Sequence, residues 1–228
     1  MPRHTRREGG RVTAQDQPPP AVAVFDALGA AYEKAFAHSE AHRASLEWLL
    51  GRLAPGSRVL DVGSGTGRPT ARTLAAAGHG VLGIDVSPVM ADLATRQVPD
   101  ATFRCADIHE VSLDDGAFDA VCVYFSLLQM SRREQSDLVR RLVRALKPGG
   151  HMALATVPLD VEGVETVFMG QPVRATSFAA EDFTAMLTDA GLAVLAEENV
   201  MFAPALPEAA PEPHLFVGCR REATATAG

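Results

Sequence analysis

Two spacings of apolar residues alternate along the chain, and their alternation predicts the order of helices and strands. Between residues 21 and 53, apolar side chains recur at intervals of three and four, which is the period of an amphipathic helix. Further on, short runs rich in Val, Leu and Ala alternate with segments of helical period that end at glycine or proline. We predict strands at 58–62, 80–85, 102–106, 118–125, 151–157, 192–196 and 215–219, and helices at 69–77, 88–97, 132–146 and 179–190.

Short apolar strands that alternate with helices call for a parallel sheet covered on both faces. The predicted fold class is therefore α/β, with a doubly wound, mostly parallel sheet of seven strands. Residues 158–175 show neither period, and we expect an irregular stretch there. A chain of 228 residues suits one domain of this kind.

Composition places the ends of that domain. The first twenty residues combine several arginines with Pro18-Pro19-Pro20 and hold little that a core could bury. We predict a disordered tail at 1–20, a single domain at 21–222 and a short tail at 223–228. Within the domain, we predict a helical segment at 21–53, a cofactor-binding core at 54–157 and a C-terminal part at 158–222.

Charge and composition narrow the classes of partner. The formal net charge is −7 at pH 7, whereas binding to nucleic acid rests on neutralising phosphates with Lys and Arg. We therefore expect a small-molecule partner and no nucleic acid. The chain lacks both the apolar run of about 20 residues that a membrane helix needs and the apolar stretch of a signal peptide, which predicts a cytoplasmic protein without a membrane partner. Its three cysteines show no Cys-x-x-Cys spacing, so neither a disulfide framework nor a metal site is expected.

A glycine-rich turn carries the strongest chemical signal. The apolar strand at 58–62 runs directly into Gly63-Ser64-Gly65-Thr66-Gly67, which precedes a predicted helix. Glycines let the backbone bend sharply and let a ligand approach without Cβ atoms in the way. Such a turn also occurs for purely structural reasons. A nicotinamide-dinucleotide site is less favoured, because Arg68 stands where its pattern requires the third glycine.

Two acidic residues extend this signal to the neighbouring strands. Asp85 ends the second strand about 20 residues after the turn, where a carboxylate accepts both hydroxyls of a ribose. Asp107 follows the third strand. Each residue alone is also typical of a helix cap or a solvated loop, but carboxyl ends of parallel strands meet at one edge of a sheet. Together they predict a nucleoside pocket at that edge.

The serial order of these motifs resembles that of the Rossmann-like (class I) S-adenosylmethionine-dependent methyltransferases, over residues 21 to about 220. The matching segments are 61–67 for the first motif, 83–87 with Met90 for the second, 105–108 for the third, 118–121 for the fourth strand and 146–150 for the turn before the fifth. The resemblance implies S-adenosyl-L-methionine as cofactor, an antiparallel last strand at 215–219, and an N-terminal helical lid formed by 21–53.

The resemblance also implies roles for individual residues. The turn that contains Gly63, Ser64, Gly65 and Gly67 would lie against the methionine part and the ribose, with Asp61 facing the amino-acid end. Asp85 would hold the ribose hydroxyls, beside Val86 of the same motif. The remaining cofactor-binding residues implied are Asp107 at the adenine amino group, Ile108 at the ring, Tyr124 and Phe125 at the methyl exit, and Tyr32 on the lid.

No general base follows from the resemblance. Several relatives place a histidine where this chain has Leu128. His38 and His42 stand four apart in the N-terminal helical segment, so we take them as candidate catalytic residues, with solvated or capping roles as the alternative. His109 is a lesser candidate, and His214 at the start of the last strand is interpreted as structural.

The function that the sequence favours is methyl transfer to an oxygen or nitrogen atom of a small molecule, in specialised metabolite biosynthesis. Residues 158–175 stand where family members build their variable substrate wall, and their composition suggests a mostly apolar acceptor. The alternative is a protein that binds the cofactor without methylating, as a cyclase or a ligand-binding regulator. Either a monomer or a homodimer fits the sequence.

Overall fold

The structure is a computed structural model, and it describes residues 21–206 and 210–222. The predicted tails at 1–20 and 223–228 lie outside the described residues. The helices are α1 Ala21–Leu28, α2 Ala30–Phe36, α3 Glu40–Leu50, α4 Thr70–Ala76, α5 Pro88–Gln97, α6 Arg132–Ala145 and α7 Ala180–Asp189. The strands are β1 Arg58–Val62, β2 Gly80–Asp85, β3 Thr102–Cys105, β4 Phe118–Tyr124, β5 Leu146–Thr156, β6 Val161–Phe168, β7 Gln171–Ser177, β8 Leu192–Phe202 and β9 Glu212–Arg221.

Seven strands form one sheet in the order β3-β2-β1-β4-β5-β9-β8. The pairings from β3 through β5 are parallel, whereas β9 runs antiparallel to both β5 and β8. The predicted α/β fold with an antiparallel last strand is confirmed. The strand order reverses between β1 and β4, so a crevice opens at their carboxyl ends.

Buried residues on both faces of the sheet explain its nearly continuous apolar strands. On one face, α6 and α7 contribute Leu138, Leu142 and Phe183 to the core. On the other face, α3 and α4 contribute Leu49 and Leu74. Side chains of β1 and β4 alternate between the two faces, and buried apolar residues cover each face.

The prediction of an irregular stretch at 158–175 is wrong, because β6 and β7 form an antiparallel hairpin there. Its turn consists of Met169 and Gly170, both with positive φ, which is the backbone that a tight hairpin requires. Methionine is unusual at such a position, and most of β6 is solvent-exposed. Neither the turn sequence nor an alternating apolar pattern therefore marked the hairpin.

The N-terminal helical segment is divided into three helices. Gly29 has a φ of 46° and separates α1 from α2, while the Ser39 hydroxyl accepts a hydrogen bond from the His42 amide and starts α3. Val24 and Leu28 of α1 pack against Val173 of the hairpin. The first two helices and the hairpin thus cover the carboxyl edge of the sheet from two sides.

Candidate functional site

Two adjoining cavities lie at the carboxyl edge, at the point where the strand order reverses. The larger has a volume of about 460 Å³ and the smaller about 270 Å³. Both are lined by Tyr32, Phe36, Gly63, Gly65, Tyr124, Phe125 and His214. The shared residues define a junction between the cavities, and every predicted cofactor-binding residue except Gly67 lines at least one of them.

Asp61 is the acidic residue of the smaller cavity. It lies on β1, is 2% exposed, and its Oδ2 has no hydrogen-bond partner among the described residues. Burial, followed by the charge of Asp85, raises the pKa of this carboxyl to about 7. A buried carboxylate oxygen without a partner is costly unless a ligand satisfies it, and a cationic amine is the group that best does so.

The glycines of the turn are needed for different physical reasons. At Gly65, with a φ of 52°, a Cβ atom would meet no atom within 4 Å, and the residue lines both cavities. The space beside it is open for a ligand. At Gly63, by contrast, a Cβ atom would come within 2.3 Å of the Ser126 side chain, and at Gly67 within 3.0 Å of Phe103. Those two glycines allow close packing of the protein against itself.

Asp85 stands at the end of β2 and faces the larger cavity. Its Oδ2 accepts the Gly65 amide at 2.8 Å and its Oδ1 accepts the Ser87 amide at 2.9 Å. Burial raises the pKa of Asp85, and these two amide hydrogen bonds counteract it. The carboxylate is fixed in one orientation, and its remaining lone pairs suit a pair of hydroxyl donors.

The next strand end supplies the far wall of the larger cavity. Asp107 is exposed, and its Oδ1 accepts the His109 amide at 2.9 Å. Ile108 is buried, and Val86 lines the same wall from the end of β2. An apolar slot with a carboxylate at its rim suits a planar base that carries an amino group.

The tip of β4 lies at the junction of the cavities. The Tyr124 hydroxyl is 2.9 Å from the Ser45 hydroxyl of α3, and burial raises the pKa of this tyrosine well above its ordinary value. Phe125 has a φ of 57°, which turns the chain away from the sheet. Its ring centroid lies 4.5 Å from that of His214.

Tyr32 closes the junction from the lid. Its ring lies in an aromatic cluster with centroid distances of 5.8 Å to Phe25, 5.0 Å to Phe36 and 6.3 Å to Phe168. Burial, followed by the charge of Glu212, raises the pKa of the phenol, so it stays protonated at neutral pH. Lid and hairpin are joined through these rings.

The two histidines proposed as catalytic candidates are separated by the structure. His38 lies in the exposed turn before α3 and lines neither cavity, because the Ser39 cap interrupts the helix between the two residues. His42 lines the smaller cavity, 3.1 Å from the Thr70 hydroxyl through Nε2. Burial lowers the pKa of His42 to about 3, so its ring is neutral and only weakly basic. The shared helix face assumed from their spacing does not exist.

A histidine interpreted from sequence as structural stands at the junction instead. His214 on β9 is 1% exposed and lines both cavities. Its Nε2 lies 2.9 Å from Glu212 Oε1. The two residues are two positions apart on one strand and so share a face. The Glu-x-His spacing is the feature of the sequence that indicates this pair.

These features together define a Rossmann-like nucleoside-binding site. A carboxylate at the end of β2 suits a ribose, an apolar slot suits a base, and the unpartnered Asp61 oxygen suits an amine at the other end. No group of His, Cys, Asp and Glu in residues 21–206 and 210–222 is arranged to hold a metal ion.

Comparison with known proteins finds methyltransferases that match part of the chain. A family described as a methyltransferase domain matches residues 59–150. The 27-O-demethylrifamycin SV methyltransferase of Amycolatopsis mediterranei is 32% identical over 163 residues, which cover 65% of this chain and 58% of that protein. The chain spans about half the length of the curated relatives it matches.

Solved structures share the fold. The 1,6-didemethyltoxoflavin-N1-methyltransferase of Burkholderia thailandensis, determined with S-adenosylhomocysteine, superposes with a TM-score of 0.67 at 21% identity, covering 93% of this chain and 98% of that one. The [4+2]-cyclase SpnF superposes with a TM-score of 0.64 at 25% identity, covering 80% and 81%. The family match over residues 59–150, the methyltransferase relatives and the shared fold support the predicted class I S-adenosylmethionine-dependent methyltransferase family and its cofactor.

None of the helices in the described part of the chain is long and apolar enough to cross a membrane.

Proposed function

We propose that the chain transfers the methyl group of S-adenosylmethionine to an oxygen or nitrogen atom of a mostly apolar small molecule. The observation that carries this proposal is that the two cavities adjoin and that the larger one extends from the cofactor-facing sheet edge to an apolar outer wall. The polar groups suited to the cofactor lie along the sheet edge, whereas the outer wall of the larger cavity consists of hairpin and lid.

The chain's own residues divide the work of holding the cofactor. Asp61 binds its amine, Asp85 its ribose hydroxyls, and Asp107 with Ile108 the adenine. When bound, the cofactor supplies an electrophilic methyl group on a positively charged sulfur. The protein's task is then to hold an acceptor atom in line at short range and to exclude water.

The outer part of the larger cavity is the proposed acceptor site. The hairpin contributes Thr166, Phe168 and Val173 to its wall, and the lid contributes Phe25. Arg174 and Gln129 are polar groups that also line it. A largely apolar wall with few polar groups is typical of sites for small organic ligands.

Specialised metabolism is the proposed setting. The relative from Amycolatopsis mediterranei is named for methylation of a rifamycin oxygen, and the structural neighbour from Burkholderia thailandensis for methylation of a toxoflavin-precursor nitrogen. Both names support an acceptor of that general kind without identifying it. A small-molecule acceptor is also consistent with the net charge of −7.

A second candidate is a cyclase that keeps the cofactor pocket without methylating. The likeness to the SpnF cyclase favours this candidate. The two functions differ in whether the cofactor is consumed, because only methyl transfer converts S-adenosylmethionine to S-adenosylhomocysteine.

Incubation of the purified chain with cell extract and S-adenosylmethionine carrying a trideuterated methyl group tests the proposal. We expect mass spectrometry to detect a small molecule that gains one trideuteromethyl group, together with S-adenosylhomocysteine. If no acceptor gains the label although the chain binds the cofactor, the result would favour the cyclase. Failure to bind either cofactor form would contradict both functions.

A further inference from the structure

We propose that His214 is the general base that removes the acceptor's proton during methyl transfer, with Glu212 as its positioning residue. This role rests on the methyl-transfer function proposed above. It also defines the acceptor class, which is a neutral hydroxyl, phenol or N–H group whose proton must leave as the methyl group arrives.

Hydrogen bonding fixes the tautomer of His214. Its Nε2 lies 2.9 Å from Glu212 Oε1, and an ionised carboxylate only accepts hydrogen bonds. Nε2 therefore carries the hydrogen, and Nδ1 of the neutral ring keeps a free lone pair. Nδ1 is buried and has no partner among the described residues. A buried acceptor atom without a partner is the atom that an incoming proton would satisfy.

The position of His214 matches the reacting centre. One cavity holds the carboxyl of Asp61 and the other that of Asp85, so these residues would hold the amino-acid and ribose parts of the cofactor from different cavities. The cofactor's sulfur connects those two parts. His214 lines both cavities at the junction, beside the Phe125 ring at the tip of β4.

Aromatic rings hold the His214 side chain in place. The Phe202 ring stacks on it at a centroid distance of 4.9 Å with an interplanar angle of 20°, and Phe36 of the lid stacks at 6.4 Å and 23°. The titratable groups that face it are Glu212, which is hydrogen-bonded to it, and His42. A ring fixed by stacking and one carboxylate hydrogen bond is preorganised for proton transfer.

The other cavity-lining histidines are less suited to this role. His42 Nε2 is engaged with Thr70, and burial lowers the pKa of His42 to about 3, which makes it a weak base. His109 is exposed and follows Asp107 at the adenine wall, away from the junction.

The proposed step balances in atoms and charge. The acceptor's O–H or N–H bond breaks as its heteroatom bonds the methyl carbon, and the electrons of the sulfur–methyl bond stay on sulfur. The proton passes to Nδ1, so the positive charge of the sulfonium is replaced by that of an imidazolium paired with Glu212. Solvent takes the proton after product release.

His214→Phe tests the role because it keeps the ring stack and removes both nitrogens. The matched control is His79→Phe, since His79 is also buried with an unpartnered Nδ1 but lines neither cavity. We expect His214→Phe to lower the rate of label transfer from trideuterated S-adenosylmethionine, with cell extract as acceptor source, by about 100-fold or more. Affinity for S-adenosylhomocysteine should stay within about threefold for both variants.

Chemical rescue separates a base from a packing group. In His214→Gly, added imidazole should restore label transfer, whereas toluene of similar shape should not. Full activity of His214→Phe, loss of cofactor affinity, or absence of imidazole rescue in a His214→Gly chain that binds S-adenosylhomocysteine would overturn the proposal. If the wild-type chain labels nothing, the proposed function fails and this role with it.

Nitrogen-15 NMR of histidine-labelled protein tests the geometry without turnover. We expect the His214 signals of the ligand-free chain to show a protonated Nε2 and an unprotonated Nδ1. Glu212→Gln should disturb that tautomer and lower the transfer rate by about 10- to 100-fold, because the glutamine amide no longer fixes the hydrogen on Nε2. A wild-type ring protonated on Nδ1 would overturn the assignment.

Discussion

The inner and outer halves of the site draw on different parts of the chain. The inner half, which holds the cofactor-facing groups, comes from the ends of β1 to β4 and lies within residues 61–125. The outer half combines the lid at 21–36, the hairpin at 161–177 and the start of β9. Parallel strands place their carboxyl ends together whatever their side chains, whereas lid and hairpin meet through side-chain contacts, both aromatic and aliphatic.

Because of this difference, the two halves suit different kinds of ligand. The inner half is fixed by backbone amides and a seven-stranded sheet, so it suits a cofactor of constant shape. The outer half is held mainly by side-chain packing, and its residues can change without disturbing the sheet. Substitutions in the two halves should therefore affect different properties.

The largest effect is expected at the glycine that borders both cavities. Gly65→Val should abolish measurable binding of S-adenosylhomocysteine, because its side chain would fill the open space beside the turn. Gly116→Val is the matched control, since Gly116 also has positive φ and open space but lines neither cavity. Calorimetry on both variants, with thermal unfolding as a folding check, makes the comparison. Equal binding by the two variants would contradict the location of the cofactor.

Asp85→Asn should weaken S-adenosylhomocysteine binding by about 1–3 kcal/mol, or about 5- to 150-fold, because a charge-assisted acceptor becomes a neutral one. Asp92→Asn on α5 removes an exposed carboxylate outside the cavities and should leave the affinity unchanged. Calorimetric affinities of the two variants test this. Unchanged binding by Asp85→Asn would mean that the ribose lies elsewhere.

The inner half should also respond to pH through Asp61. Its pKa of about 7 lies above the ordinary value, so the neutral acid contributes stability at low pH that is lost as pH rises through about 7. Cofactor binding needs the ionised form, so affinity for S-adenosylhomocysteine should rise from pH 6 to pH 8 by up to about tenfold. Asp61→Asn should bind more weakly and lose most of this dependence. An equally steep profile in the variant would assign it to another group.

In the outer half, Phe168→Ala should weaken the packing of the lid without changing the cofactor-facing groups of the inner half. Phe168 contacts Tyr32 and Phe36, and an aromatic contact contributes about 0.5–1.5 kcal/mol. We expect S-adenosylhomocysteine to dissociate about 2- to 10-fold faster, measured by surface plasmon resonance. Val164→Ala, at an exposed residue of the same hairpin that lines neither cavity, is the control. Identical dissociation rates would show that these rings do not retain the ligand.

The smallest effects are expected at the two histidines first considered as bases. His38→Ala should change neither affinity nor turnover, because its side chain is exposed outside both cavities. His42→Ala should weaken cofactor binding modestly, through lost contacts with Tyr124 and Thr70. A turnover loss of about 100-fold in either variant would contradict the assignment of the base to His214.

The two halves also differ in how far the sequence alone predicts them. The sequence was sufficient to place Asp61, Asp85 and Asp107 at the carboxyl edge, because the ends of successive parallel strands meet at one edge of the sheet. It was insufficient for the hairpin, because β6 is largely exposed and the Met169-Gly170 turn carries no strong pattern. For His214, the Glu-x-His spacing indicates the paired carboxylate, but the position of the ring at the junction depends on distant parts of the fold.

Amide hydrogen exchange with and without S-adenosylhomocysteine tests the division of the site most directly. We predict that the ligand slows exchange at residues 61–67, at 85–90 and in the lid, while the hairpin at 161–177 changes little until an acceptor is added. Protection confined to the hairpin, or none at the ends of β1 and β2, would contradict the account.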